Sequence, residues 1–464
     1  MKKIALFGAS NRALEMFLKP MISAYADSVT PVGVYDINVK RAEYFGKLYN
    51  IPVYRDAAAM LRESGADTAL VTTVDGFHHE YIIQALEAGC DVITEKPMTI
   101  DAAKGRAILA AEAASGKKVT VTFNYRYAPF STRIKELLSD GAIGDVYSVH
   151  FEWLLDRNMD ILAHGTSYFR RWNRYMLKSG GLLVHKSTHH FDLVNWWLSA
   201  SPVEVTAVGK REFYTPSMIK RFGLKGPGER CMTCLEAEKC GFFIDLPGTP
   251  GIKSLYLDNE KYDGYMRDRC VFRSDIDIED TMNVIVKYDT GATMSYTLNA
   301  FNAWEGYHIA FNGTKGRIEH SIVEQMYVNG ADGDEAQGAI KAGGTVVRVI
   351  PLRDAATDHK PWKGTGSHGG GDVVMLNDVF LPNPPADKYE RNSDERGGAE
   401  SILVGAAANM SFLTGKPVKI ADMVKGLEKP AYPPMPTSKD PVEMPRRLEG
   451  NVLSRPSPKK KAKG

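Results

Sequence analysis

Long apolar runs are missing from this 464-residue chain. No stretch approaches the roughly 18 apolar residues that a membrane-spanning helix needs, so such a helix is excluded. Cysteine is scarce, with five residues. A disulfide framework is therefore not what holds the fold, and a body of this length buries an extensive core without one. Net charge is almost absent, since 58 Lys and Arg face 56 Asp and Glu for a total of +2. That total has structure of its own. Residues 451–464 carry Arg455, Lys459, Lys460, Lys461 and Lys463 and no acid, which leaves a body of 53 basic against 56 acidic residues. One short Lys run on a slightly acidic body gives no basis for a nucleic-acid partner, and the tail is expected to be disordered. The N-terminus lacks a long apolar segment and a small-residue cleavage site. It reads as a first strand, not a signal peptide, and the protein is expected to be cytoplasmic.

What the chain does have is punctuated alternation. Over residues 1–125, strand-like runs (Lys3–Phe7, Pro31–Tyr35, Ala66–Thr73, Asp91–Thr94, Lys118–Phe123) alternate with helical ones (from Arg12, Val39–Tyr49, His79–Gly89, Ala102–Ser115). That order predicts parallel βαβ units and an α/β doubly wound Rossmann sheet. Beyond 125, adjacent strands dominate, as in Val146–Leu155 and the pair Met282–Tyr288 and Ala292–Leu298 around the turn Asp289-Thr-Gly291. This predicts an α+β domain over 126–428 with a mainly antiparallel sheet. A Pro-rich arm and the basic tail follow over 429–464.

The first turn, Gly8-Ala9-Ser10-Asn11-Arg12-Ala13, lies between a strand and a helix, as a dinucleotide fingerprint must. Gly8 suits the tight turn, Ser10 offers a hydroxyl to phosphate, and the helix start offers N–H groups to an anion. Asp36 closes the second strand, where an acid binds ribose hydroxyls and favours NAD; Arg41 leaves NADP open. Glu95-Lys96-Pro97 places a lysine at the carboxyl edge of the sheet. Asn11, Arg12, Thr73, His78, Glu95, Lys96 and Asn124 complete the expected cofactor contacts.

These features, with Gly180-Gly181, His189-His190-Phe191-Asp192, Asn124-Tyr125-Arg126, Gly141-Ala-Ile-Gly144 and Gly313-Thr-Lys-Gly316-Arg317, resemble the glucose–fructose oxidoreductase / inositol dehydrogenase / MocA family over about residues 1–425. The resemblance implies a Rossmann domain plus a domain built on a large open sheet that joins copies as a homodimer or homotetramer. It implies NAD(P)-dependent hydride transfer at a hydroxyl-bearing carbon of a sugar, glycoside or polyol. A variant of that chemistry retains NAD and cleaves a glycosidic bond with no net redox change. A non-enzymatic dinucleotide sensor is the third reading. Lys96 would hydrogen-bond the reacting hydroxyl, and His189 would be the acid/base. Where the family often has an Asp, this chain has His185, which would support or relay the proton. If the segment is one helix, His185 and His189 share a face and could bind a metal. Arg126, Tyr168, Arg170, Trp172, Lys186, His190 and His368, the last in a Gly-rich loop, are the expected substrate contacts.

Cys231, Cys234, Cys240 and Cys270 lie in an insertion over 221–275. Their spacing predicts a structural zinc site, with an iron–sulfur cluster, two disulfides or unlinked thiols as alternatives.

Overall fold

The computed structural model describes residues 1–157, 164–326, 346–362, 370–436, 441, 442 and 444. The first sheet has seven strands in the order Ser393–Asp394, Val119–Val121, Asp91–Thr94, Thr68–Val71, Lys2–Phe7, Val29–Tyr35, Val53–Tyr54. Six of them run parallel. Ile4, Ala5, Leu6 and Phe7 are all fully buried, because a parallel sheet is covered on both faces and its strands read as unbroken apolar runs. Three of the covering helices start on a side-chain cap: Asn38, Asp56 and Asp101 accept from the backbone N–H of Lys40, Ala59 and Lys104, removing one orphan donor apiece. The seventh strand is antiparallel and comes from far along the chain.

The second sheet has nine strands in the order Thr357–His359, Val347–Pro351, Gly316–Met326, Trp304–Gly313, Val146–Asp156, Thr293–Asn302, Thr281–Tyr288, Pro202–Lys210, Val418–Lys419. Every neighbouring pair is antiparallel except Val146–Asp156 with Thr293–Asn302. Val149, Phe151, Trp153 and Leu155 point inward and are buried, while His150 and Glu152 point outward. Helices Pro129–Ser139, Thr188–Leu198 and Glu395–Thr414 pack on the inner face.

Helix Glu395–Thr414 ties the halves together. It begins where the seventh strand leaves the first sheet, with Asp394 as its cap. It then packs on helix Ala102–Ser115 of the first half and on strand Pro202–Lys210 of the second. The insertion has no strand among its described residues beyond an isolated bridge between Arg230 and Arg269. It buries Leu246, Ile252, Leu255 and Tyr256 in the core of the first half, beside Phe17 and Phe380.

Candidate active site

The site is assembled on the carboxyl edge of the first sheet. Gly8 takes φ +99°, and a Cβ there would lie 2.8 Å from the Thr72 carbonyl oxygen, so both conformation and space demand glycine. Ser10 Oγ accepts from the Ala13 N–H at 3.1 Å and caps the helical stretch over 11–21. The Asp36 carboxylate accepts from the N–H of Ala9 and of Asn38, each at 2.7 Å. Arg12 Nε is 2.7 Å from Glu95 Oε1. Buried Thr73 Oγ1, Arg41 Nη1 and Asn124 Oδ1 have no hydrogen-bond partner among the described residues. Orphaned polar atoms along a glycine-built cradle fit a polar, elongated ligand such as a dinucleotide. His78 is different: its ring nitrogens lie 2.9 and 3.1 Å from the carbonyl oxygens of Pro97 and Thr73. It joins two loops and leaves neither nitrogen for a ligand.

Lys96 Nζ donates to the His185 carbonyl oxygen at 3.0 Å. Burial and the neighbouring Lys186 charge push Lys96 down to about 7, against the pull of Asp75 and Glu95. The side chain of His185 turns the other way, with Nδ1 2.5 Å from Asp75 Oδ2. Thus a carboxylate does reach this segment, at His185: it is Asp75, from the turn after strand Thr68–Val71. Burial pushes the Asp75 carboxyl up, and Lys96 and Arg171 hold it back. Asp75 escaped sequence reading because it belongs to no motif, although its place just past a strand's carboxyl end was a usable signal.

The expected single helix through His185 and His189 is broken. Gly180 and Gly181 both have positive φ, Leu182–His185 forms one turn, and a second helix starts only at Thr188. With His185 held on Asp75, the two histidines do not form the expected metal pair. His189 stacks on Tyr125, with ring centroids 4.4 Å apart. Lys186 Nζ sits 4.9 Å from the Trp153 ring centroid. Tyr168 and Trp172 pack edge-on against His185 at 5.2 and 5.5 Å.

Three expected substrate contacts are committed elsewhere. Arg126 forms a fully buried two-point pair with Asp192, at 2.8 and 2.5 Å. His190 is completely buried among Phe151, Trp153 and Tyr307, its Nδ1 2.7 Å from the Tyr296 hydroxyl. Arg170 points at the cysteines, touching Cys231 Sγ at 3.4 Å and donating to the Phe242 carbonyl. His368 lies outside the described residues.

Cys231, Cys234, Cys240 and Cys270 do converge, lining one small apolar cavity with Arg170 and Phe272. All are free thiols, so the disulfide alternative is not met. Structural zinc finds no support either. Among the described residues no group of three or more His, Cys, Asp or Glu is arranged to hold a metal. Cys231 Sγ is instead engaged by the Arg170 guanidinium and the Phe242 carbonyl.

The insertion reaches the dinucleotide turn. Tyr256 Oη accepts from the Asn11 N–H at 3.0 Å, Asn38 donates to the Asn259 carbonyl at 2.9 Å, and Arg41 pairs with Asp263 at 2.6 Å as well as with Asp36 at 3.2 Å. None of these partners carries a motif, and their positions depend on the path of a strand-poor loop. Asp372, in the first turn of helix Gly371–Phe380, accepts from Asn124 at 2.6 Å.

A parallel sheet with a glycine-built turn at its carboxyl edge and a half-buried lysine beside it defines a dinucleotide-dependent oxidoreductase. The sequence matches the oxidoreductase family with an NAD-binding Rossmann fold over residues 2–123 and the same family's C-terminal α/β domain over 135–420. The chain belongs to that family. It is 38% identical over 437 residues to a Bacillus subtilis protein named as an oxidoreductase, YteT, covering 91% of this chain and 99% of that one. It is 29% identical over 176 residues to inositol 2-dehydrogenase of Rhizobium meliloti, covering 38% and 49%. Among solved structures, an oxidoreductase from Agrobacterium radiobacter in complex with NAD+, L-tartaric acid and magnesium shares the fold, with TM-score 0.59, 16% identity and coverage of 91% and 99%. No described helix is long and apolar enough to cross a membrane.

Proposed function

We propose that this enzyme oxidises or reduces a hydroxyl-bearing carbon of a sugar, glycoside or polyol. The observation that carries this is Lys96, lowered to about 7 and fixed at the sheet edge by the His185 carbonyl. NAD, when bound, supplies the hydride acceptor or donor. Lys96 hydrogen-bonds the reacting hydroxyl and eases loss of its proton, His189 takes or returns that proton, and the His185–Asp75 pair orients the wall between them. Gly8, Ser10, Asn11 and Asp36 would hold the dinucleotide. Arg41 is clasped by Asp36 and Asp263, so a 2′-phosphate would meet two carboxylates for one guanidinium, which favours NAD over NADP. The test is a screen of sugars, polyols and glycosides with each dinucleotide, followed at 340 nm. Substrate-dependent NADH formation or consumption that disappears in Lys96→Met is expected. Turnover undiminished in that variant overturns the catalytic assignment.

A second reading is favoured by the insertion's three contacts to the turn region. A strap over the cofactor suits an enzyme that keeps NAD and returns the hydride, cleaving a glycosidic bond without net redox change. Such an enzyme would turn over a glycoside with no free NADH at 340 nm. We also propose that copies join through the outer face of the nine-stranded sheet, where Val208 and Ile285 are exposed; light scattering of the purified protein would report a monomer if this is wrong.

A further inference from the structure

Three cations near this site, Lys186, Arg171 and Arg267, form no ion pair among the described residues. Lys186 is 3% exposed and Arg267 7% exposed, and Arg171 is half-buried. By contrast, Arg12, Arg41 and Arg126 nearby are each paired. Taking a cation out of water is costly, and a partner of opposite charge offsets that cost. Arg267 belongs to the insertion and lies over the Tyr256 ring at 4.5 Å. Among the described residues its side chain makes one long hydrogen bond, to Tyr265 Oη at 3.4 Å, and its buried Nε has no partner. Arg171 lies over Tyr168 at 5.5 Å, and Tyr168 packs on His185. The two guanidiniums repel each other, and burial together with Arg267 pushes Arg171 down. Among the described residues the Arg171 side-chain hydrogen bonds go to Asn173 Oδ1, at 3.0 and 2.8 Å. One guanidinium thus stands on the catalytic side and the other comes down from the insertion, toward the same wall.

We propose that Arg171 and Arg267 form an oxyanion site for the substrate, taking the carboxylate of an acidic sugar. The inference rests on the sugar-oxidoreductase reading and narrows it to uronate-type substrates. Guanidinium forks match a carboxylate with two parallel hydrogen bonds, and a neutral ligand would leave both guanidiniums without an ion pair. The other anion within reach is the pyrophosphate of the dinucleotide, since Tyr256 also touches Asn11. The test separates these sources.

Binding of hexuronates and of the matching neutral hexoses to the NAD-loaded protein is measured by calorimetry, alongside turnover at 340 nm and NADH affinity by fluorescence. The expected result is that hexuronates bind at least about tenfold tighter than hexoses. In Arg267→Gln and Arg171→Gln that preference falls by about 10- to 100-fold, the worth of a charge-assisted pair, while NADH affinity stays within about threefold of the parent. Arg267→Lys keeps the charge without the fork and retains part of the preference, which separates a lost anion contact from a collapsed insertion. Equal binding of acid and neutral sugars overturns the proposal. So does a loss of NADH affinity in the Gln variants with the acid preference intact, which assigns the anion to the cofactor. Tight, Arg267-dependent hexuronate binding without any turnover upholds the anion site and removes the catalytic reading, so the two fail separately.

Discussion

Half-buried Lys96 and fully buried Lys135 are displaced alike, both lowered to about 7 chiefly by desolvation, and do different work. Lys135 Nζ donates to the Trp196 carbonyl and to Ser199 Oγ at 2.7 and 2.8 Å, closing the end of helix Thr188–Leu198. Lys96 holds one carbonyl at the sheet edge. Substituting Lys96→Met should lower kcat about 10²- to 10³-fold, the usual worth of one preorganised hydrogen-bonding group at the reacting oxygen, with KM little changed. In the oxidation direction the parent's rate should rise with pH through about 7 as Lys96 becomes neutral, and that limb should vanish in the variant. Stability follows the same shift. An unfolded lysine titrates near 10.4, so from about 7 to 10 the unfolded chain binds more protons and stability increases with pH. The contribution is greatest above the unfolded value and is lost as pH falls toward 7. Urea midpoints at pH 7 and pH 9 should differ less in Lys96→Met than in the parent.

At the scale of the element, the segment from Gly180 to Leu198 divides its labour by the break at Lys186 and Ser187. The short helix aims His185 at Asp75, and the longer one plants Asp192 on Arg126. Burial raises Asp192 to about 6 even against Arg126, so the pair is held by mutual need. Asp192→Ala should destabilise the protein by about 3–5 kcal/mol, since it strands a buried guanidinium, whereas Lys96→Met leaves no such charge behind; thermal unfolding compares the two. What was legible in the sequence follows from period and spacing. Strand Lys2–Phe7, helices Val39–Tyr49, Ala102–Ser115 and Pro129–Ser139, and the Asp289–Gly291 hairpin all carry local signals, as do Gly8 and Lys96. The break in the helix was not legible, because polar residues near a glycine pair fit one helix or two. Asp75, Tyr256, Asp263 and Arg267 were missed for another reason: long-range packing brings them to the site from loops that carry no motif. Conversely, Arg126, Arg170 and His190 look like ligand contacts by residue type, and only the fold shows that their polar atoms are already satisfied or enclosed.

The whole molecule is interlocked more closely than two sequential halves would be. Residues 246–256, helix Gly371–Phe380 and strand Ser393–Asp394 all return to the nucleotide half. Gly398 packs where any Cβ would meet Met98 and Val121 side chains at 2.9 Å. A fragment ending at residue 125 should therefore expose apolar surface, bind a hydrophobic dye and lack a cooperative thermal transition. A fragment that melts cooperatively and binds NADH like the full chain would show that these returns are dispensable.

The returning strand also sets a timetable for synthesis. Ser393 pairs with Val121, so the edge of the first sheet waits for a partner made roughly 270 residues later. At about 5–20 residues per second this is a delay of roughly 14–54 seconds. During that interval the nascent chain carries an open strand edge and an uncovered apolar flank outside the ribosome. The site's own scaffold is thus among the first parts to be made and the last to be finished, and this is the window in which a chaperone would find the chain.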